Sequence, residues 1–215
     1  MTQPDTLHNY IDGSFRPPAK GRFLDNRNPA TGEILNRIPR SEQDDIAAAA
    51  LAAQRAFSSE WASWPAGQRA DLLDQIAAEI DKRSDELARM ESEDTGKPIR
   101  LAKSVDIPRA ASNFRFFAGA IRHDHTEFHG MEGALNYTLR KPAGVAGLIT
   151  PWNLPLYLLT WKVAPALAMG NCIVAKPSEL TPQTATALAA IFHDIGAPRG
   201  IFNLVHGLGN DGADG

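Results

Sequence analysis

The stretch from Val145 to Lys176, VAGLITPWNLPLYLLTWKVAPALAMGNCIVAK, limits the fold more than any other part of the chain. Val145 to Ile149 is a short apolar run of the kind a parallel strand buried on both faces requires. Thr150-Pro151-Trp152-Asn153 breaks it, and Pro155 stands where a helix tolerates proline, in the first turn. Leu156 to Met169 is apolar nearly all round, which predicts a buried helix closed by Gly170-Asn171. Cys172 to Lys176 reads as the next strand. A strand–helix–strand crossover with functional groups at the carboxyl ends of both strands is how open α/β sheets build ligand clefts, so the fold class is α/β with a parallel sheet.

The flanks extend this unit. Upstream, Asn9-Tyr10-Ile11 and Ser14-Phe15 around Asp12-Gly13 read as a hairpin, because Asp-Gly suits a type I′ turn. A second hairpin or arch is expected around Asn28-Pro29-Ala30-Thr31-Gly32-Glu33, between Phe23-Leu24 and Ile34-Leu35. Ser41 is placed to cap a helix from Glu42 to about Phe57. Gln68 to Lys82 and Asp85 to Asp94 make two more helices, the second capped by Ser84 and ended by Gly96. Ile99 to about Arg122 reads as a helix bent at Pro108. Alternation from Thr126 to Pro142 (Leu135, Tyr137, Leu139) predicts half-buried strands in a projecting hairpin, a form that often pairs with another subunit. Downstream, Thr181-Pro182 opens a helix to about Ile195, Ile201 to Val205 is a third buried strand, and Gly207, Gly209 and Gly212 make a glycine-rich turn. The chain divides into residues 1–123 (hairpins and helices), a hairpin at 124–142 and a crossover core at 143–215.

Composition narrows the function classes. A net charge of −3 over 215 residues points to neither a nucleic acid nor a membrane surface as partner. The apolar run at 154–169 is shorter than the ~20 residues a bilayer requires, and it carries Lys162 and Pro165. One cysteine excludes an internal disulfide framework and fits a reducing, cytoplasmic setting. The start of the chain shows no basic segment leading into an apolar one, so no secretory signal is expected.

Several side chains at the joints can carry chemistry, each against a structural alternative. The carboxamide of Asn153 suits an oxyanion formed by attack on a carbonyl, or equally a helix cap. Lys176 and Glu179, at the end of the second strand, could hold the two hydroxyls of a ribose, with the acid repelling a 2′-phosphate. Composition alone favours a solvated charged pair. The three glycines allow close approach to a phosphate, although their spacing departs from G-x-G-x-x-G. Arg109 and Arg115 could clamp a carboxylate, while the pattern favours pairing with acids of neighbouring helices. Cys172 opens a buried strand and reads as core rather than as a nucleophile. His123, His125 and His129 lack the accompanying ligands of a metal site.

At these residues the sequence resembles the NAD(P)-dependent aldehyde dehydrogenase superfamily. The resemblance is carried by Asn28-Pro29-Ala30-Thr31-Gly32-Glu33, Glu93-Asp94-Thr95-Gly96-Lys97-Pro98, Thr150-Pro151-Trp152-Asn153 with Lys162, and Lys176-Pro177-Ser178-Glu179-Leu180-Thr181-Pro182. Within it, Asp106-Ile107-Pro108-Arg109, Asn113 to Phe117 and Trp152 to Lys162 are similar to the 2-aminomuconate and 2-hydroxymuconate semialdehyde dehydrogenases. The resemblance implies a Rossmann-like sheet of the aldehyde dehydrogenase type, truncated, with an N-terminal helical region and a projecting β-hairpin. It makes Asn153 the oxyanion amide, with Lys162 behind it tuning it or relaying protons. Ile149, Thr150, Pro151 and Trp152 would line the nicotinamide side. Lys176, Ser178 and Glu179 would bind at the adenosine ribose, and Gly209 would approach the adenine–phosphate end. NAD is implied over NADP through Glu179. Arg109, and with less support Arg115, would recognise the carboxylate of a semialdehyde acid. The 124–142 ribbon corresponds to oligomerisation strands, which implies a homo-oligomeric parent, dimer or tetramer.

The family's thiolate nucleophile and glutamate base lie beyond the glycine loop, and neither motif occurs in these 215 residues. Ala213 stands where the family usually has glycine, so the Asp211-to-Gly215 end is expected to diverge from a parent sequence. The first expectation is therefore the N-terminal portion of an aldehyde dehydrogenase, inactive alone. The alternatives are a non-catalytic module with partial nucleotide binding or a subunit-docking role, and a broken product with an unpaired sheet edge.

Overall fold

The computed structural model describes residues 5–209. The chain opens with β1 (Asp5–Thr6), β2 (Asn9–Ile11) and β3 (Ser14–Arg16), followed by β4 (Phe23–Arg27) and β5 (Ile34–Pro39). β2 and β3 form the expected hairpin, and Asp12 and Gly13 take the φ values of 55° and 75° that a type I′ turn needs. β4 and β5 pair antiparallel, while β1 adds parallel to β5, a pairing that nothing in the sequence pattern signals.

Next come α1 (Gln43–Phe57), a 3-10 turn (Glu60–Ser63), α2 (Ala66–Lys82) and α3 (Ser84–Thr95). The N-cap of α1 is Glu42 rather than Ser41, its backbone N–H donating to Asp45 Oδ2 at 3.2 Å. Ser41 Oγ instead accepts a buried bond from Asn9 Nδ2 at 2.7 Å. Gly96 ends α3 in the left-handed conformation, as expected. The helix expected from Ile99 to Arg122 is α4 (Ile99–Leu101), a π-helical turn (Ala102–Asp106) and α5 (Ile107–Arg122). The irregularity lies in the turn before Pro108, which sits at the start of α5 where its missing N–H costs little.

The second half comprises β6 (Phe128–Met131), β7 (Ala134–Tyr137), β8 (Val145–Ile149), α6 (Pro155–Ala168), β9 (Cys172–Lys176), α7 (Gln183–Asp194) and β10 (Phe202–Leu204). The main sheet has the order β3-β2-β10-β9-β8. Its last three strands are parallel, as expected, but the β2–β3 hairpin joins antiparallel to β10, with Leu204 opposite Tyr10, and makes the sheet mixed. The edge of β10 that faces away from β9 is therefore covered, and β8 is the edge of the crossover side. β8 was expected to be buried on both faces, yet Val145, Gly147 and Ile149 are exposed and only Ala146 and Leu148 are partly covered. β6 and β7 pair as expected, but all eight residues are exposed, so neither face of the ribbon is half-buried.

The core lies where α2 packs on α5 and both meet α6, which lies on the sheet. Leu73, Ile76 and Ile80 meet Ile107, Ala111 and Phe114, with Leu159, Val163 and Leu167 alongside, all fully buried. The Trp61 indole N–H donates to Gly170 O at 3.0 Å, which satisfies a carbonyl beyond the end of α6. No helix among the described residues is long and apolar enough to cross a membrane.

Candidate functional site

The parallel pairing of β8 and β9 brings two sequence-distant ends together. Ile149 lies opposite Lys176, and the Thr150 N–H continues the ladder onto Lys176 O at 3.1 Å. The turn carrying Asn153 and the segment carrying Lys176 and Glu179 therefore leave the same end of the sheet from neighbouring strands. Between β8, β9 and the loop after β10 runs a groove of about 260 Å³, lined among others by Ile149, Lys176, His206, Leu208 and Gly209. Its walls combine apolar side chains with bare backbone at Gly147 and Gly209, where a Cβ would meet nothing within 4 Å. Gly207 differs, because a Cβ there would stand 3.0 Å from Ser41 O, so that glycine serves packing. Gly212 and Ala213 lie outside the described residues.

Lys176 Nζ stands 3.5 Å from Glu179 Oε2 and donates to Pro177 O at 3.1 Å, leaving ammonium and carboxylate partly exposed side by side. Ser178 is buried, its Oγ accepting from Leu180 N at 3.3 Å, so in this chain it shapes the loop that presents Glu179. Thr150 is buried with its Oγ1 unpartnered, as is Nδ1 of His206. His206 was not anticipated by sequence reasoning. Its Nε2 meets Thr186 Oγ1 at 3.0 Å, and burial, aided by the Lys176 charge, pushes its pKa down to about 3. Pro151 and Trp152 are exposed, the latter 58 %.

Asn153 is exposed and is not the cap of α6: the N-cap is Leu154, and no side chain of the cap residue bonds to the helix. The Glu91 carboxylate of α3 lies near the helix start, with the Leu156 amide facing it. The Asn153 carbonyl accepts from Lys97 Nζ at 3.3 Å. Lys162 Nζ donates to Ile149 O at 2.5 Å, so it grips the strand end that leads into the turn. Neither Glu91 nor Lys97 drew attention in sequence as a site residue. The one signal was the Glu93-to-Pro98 motif, and it pointed to a helix end rather than to this contact.

The two arginines separate. Arg109 and Asn113 are four residues apart on α5 and share a face; Asn113 Nδ2 donates to Tyr157 O and Thr160 Oγ1 on α6, at 3.2 and 3.0 Å. The Arg109 guanidinium lies 5.4 Å from the Tyr157 ring centroid, above its face. Arg115 is about 240° further round the helix from Arg109 and pairs with Asp81 of α2, the structural alternative that its pattern favoured. Cys172 is fully buried, and desolvation raises its pKa to about 12. Among the described residues no cluster of three His, Cys, Asp or Glu could hold a metal ion.

A crossover sheet with its cleft at the carboxyl ends of adjacent parallel strands places the chain in the ligand-binding α/β class. The sequence profile of the aldehyde dehydrogenase family matches residues 15–214, and the chain belongs to that family. It is 48 % identical over 205 residues to the human 2-aminomuconic semialdehyde dehydrogenase, covering 94 % of this chain and 42 % of that protein. It is 43 % identical over 212 residues to the 2-hydroxymuconic semialdehyde dehydrogenase of Pseudomonas sp. (strain CF600), covering 96 % of this chain and 44 % of that one. An NAD+ complex of aldehyde dehydrogenase from Bacillus cereus superposes with a TM-score of 0.94 at 36 % identity, over 96 % of this chain and 43 % of that chain. The chain thus spans 42 to 44 % of the length of these curated relatives.

Proposed function

We propose that these residues form the cofactor-binding and oxyanion-stabilising part of an NAD-dependent dehydrogenase that oxidises a semialdehyde acid of the muconic type. The observation that supports this most is the juxtaposition of the Asn153 turn with Lys176 and Glu179 at in-register strand ends. The groove fits a dinucleotide: its apolar walls suit adenine, the amine–acid pair suits a ribose diol, and Gly209 leaves room for a phosphate. NAD, when bound, supplies the hydride acceptor. Ile149, Thr150, Pro151 and Trp152 would flank its nicotinamide end, and the Thr150 hydroxyl, buried and unpartnered, is a donor or acceptor free to meet it. Asn153 would donate its amide N–H to the oxygen of an aldehyde under attack, while Lys162 fixes the strand end before it. The activities for which the relatives above are named, together with Arg109 displayed over Tyr157, favour a substrate bearing a carboxylate; Arg115 is engaged with Asp81 and is not assigned that role.

Tryptophan fluorescence tests the cofactor reading. NAD is expected to quench the 215-residue chain, W152F to lose most of the quench, and NADP to bind at least tenfold more weakly. E179Q should narrow that gap, because the repelling carboxylate is gone. Absence of any NAD-dependent change would overturn the assignment.

The covalent step requires a thiolate, and Cys172, buried with a pKa near 12, is not one. The chain mixed with NAD and an aldehyde is expected to form no NADH, and C172S to behave identically; NADH production lost on that substitution would make Cys172 the nucleophile after all. A buried, reduced cysteine fits a cytoplasmic setting. The exposed β6–β7 ribbon favours a second component of function, subunit docking in a homo-oligomer, since a lone two-stranded ribbon is marginal in water.

A further inference from the structure

The end of α3 meets the start of both helices that follow the site strands. Asp94 accepts from Gln183 N at 2.8 Å and so caps α7, while its other oxygen accepts from Gln183 Nε2 at 2.7 Å. One turn earlier, Glu91 accepts from Thr184 Oγ1 of α7 at 3.0 Å, with the Leu156 amide of α6 facing the same carboxylate. Pro155 has no N–H, so Leu156 carries the first donor inside α6. Gly96, at φ 72°, turns the chain back so that Lys97 reaches over this junction. Its ammonium sits 2.6 Å from Asp106 Oδ2, 3.7 Å from Glu91 Oε1 and 3.3 Å from Asn153 O.

We propose that Lys97 is a positioning residue for Asn153, holding the turn by the Asn153 backbone carbonyl while Glu91 and Asp106 hold its ammonium in place. This rests on the oxyanion role of Asn153 set out above, but the clamp itself is a geometric arrangement independent of any cofactor. The residue whose carbonyl is gripped also carries the carboxamide. Asn153 forms no side-chain hydrogen bond among the described residues and is exposed, so its direction is decided by the backbone that carries it. Loss of that grip frees the backbone, and a donor displaced by about 1 Å loses much of its value to an oxyanion.

The charges around the clamp make it observable. Glu91 faces Lys97 from the loop after α3, Asp106 from the π-helical turn, Thr184 from α7 and the Leu156 amide from α6. Its Oε1 is buried without a hydrogen-bond partner. Burial outweighs Lys97 and raises its pKa to about 7. A change of charge at Glu91 is therefore expected within the range where the protein is handled, and a clamp transmits it to Asn153.

The test is amide NMR of the 215-residue chain, labelled at asparagine and leucine, from pH 5 to 9. The Asn153 backbone and side-chain amides and the Leu156 amide are expected to shift together with a midpoint near 7, and E91Q to abolish that transition without lowering the thermal midpoint below the parent's. K97M is expected to shift the Asn153 amide and speed Leu156 hydrogen exchange at least tenfold, and K97R to restore both. A merely structural role would lower thermal stability in these variants without a pH-linked shift at Asn153. The inference fails if the Asn153 signals ignore pH in the parent chain or if E91Q titrates like the parent. NAD titration of the same samples separates the two readings. Shifts at Asn153 without NAD binding would leave the clamp standing and remove the cofactor assignment; NAD binding with a silent Asn153 would do the reverse.

Discussion

Three buried titratable side chains set opposing dependences on pH. Glu91 and Asp94 are raised by burial to about 7 and about 6, so the folded chain keeps protons that the unfolded chain releases above about 4.5 and 3.8. Their contribution to stability is complete below those values and is lost as pH rises toward 7. His206 acts the other way. Its pKa near 3 means that the folded chain refuses a proton the unfolded histidine accepts below about 6.5, so its penalty grows as pH falls from there. Relative to the parent, H206Q is expected to gain thermal stability steadily as pH drops from 6.5 toward 4.5, and E91Q to gain as pH rises from 4.5 to 7. Differential scanning calorimetry across that range checks both, and equal slopes in parent and variants would refute the assignment. None of these three groups was legible as a buried titrating side chain in the sequence. Asp94 stood within a quoted motif, but its burial depends on Asn26 and Gln183, each donating to it from a different element.

At the scale of elements, helix ends divide into those that the local sequence settles and those that it does not. C-terminal ends were readable: Gly96, Gly170 and Gly196 all take positive φ, which glycine adopts without a Cβ clash. N-terminal ends were misread where the expected cap residue is engaged elsewhere or idle, and the cap falls to a neighbour (Glu42 for α1) or to a distant side chain. Ser41 turned out to bond Asn9, and Thr181 leaves its buried hydroxyl unpartnered while Asp94 caps α7. Gly96 joins the two cases, because a Cβ there would stand 3.2 Å from Pro29 Cγ as well as adopting φ 72°. G96A is therefore expected to destabilise the chain by about 1–2 kcal/mol and to disturb the Lys97 grip on Asn153. Chemical denaturation gives the first effect; the Asn153 amide shift gives the second. A neutral G96A would mean that the loop from Thr95 to Pro98 relaxes without cost.

For the molecule as a whole, periodicity predicted elements correctly but overestimated how much of their surface this chain covers. The alternation in Leu135, Tyr137 and Leu139 read as a half-buried ribbon, whereas all three are about 60 % exposed, together with Phe128 and Met131. The apolar β8 read as buried on both faces, yet Ile149 is 72 % exposed. Both patterns encode burial that the described residues do not supply. A ribbon with five large apolar side chains in water is expected to self-associate. Sedimentation velocity should show concentration-dependent association of the chain, reduced by the pair L135S and Y137S with the far-UV spectrum unchanged. Association insensitive to those substitutions would place the contact elsewhere, with the β8 edge as the alternative surface.

The sequence by itself determined the crossover core, the Asp12-Gly13 hairpin, the glycine helix ends and the family, because each depends on a periodic pattern or a few consecutive residues. Tertiary structure alone decided that β2 closes the edge of β10, that Asp94 caps a helix 89 residues away in sequence while Glu91 bonds Thr184 of the same helix, and that Arg109 and Arg115 face different helices. Such contacts are set by which elements pack side by side. A buried carboxylate satisfies whichever unpaired N–H the packing brings to it, and no local pattern records which one that is.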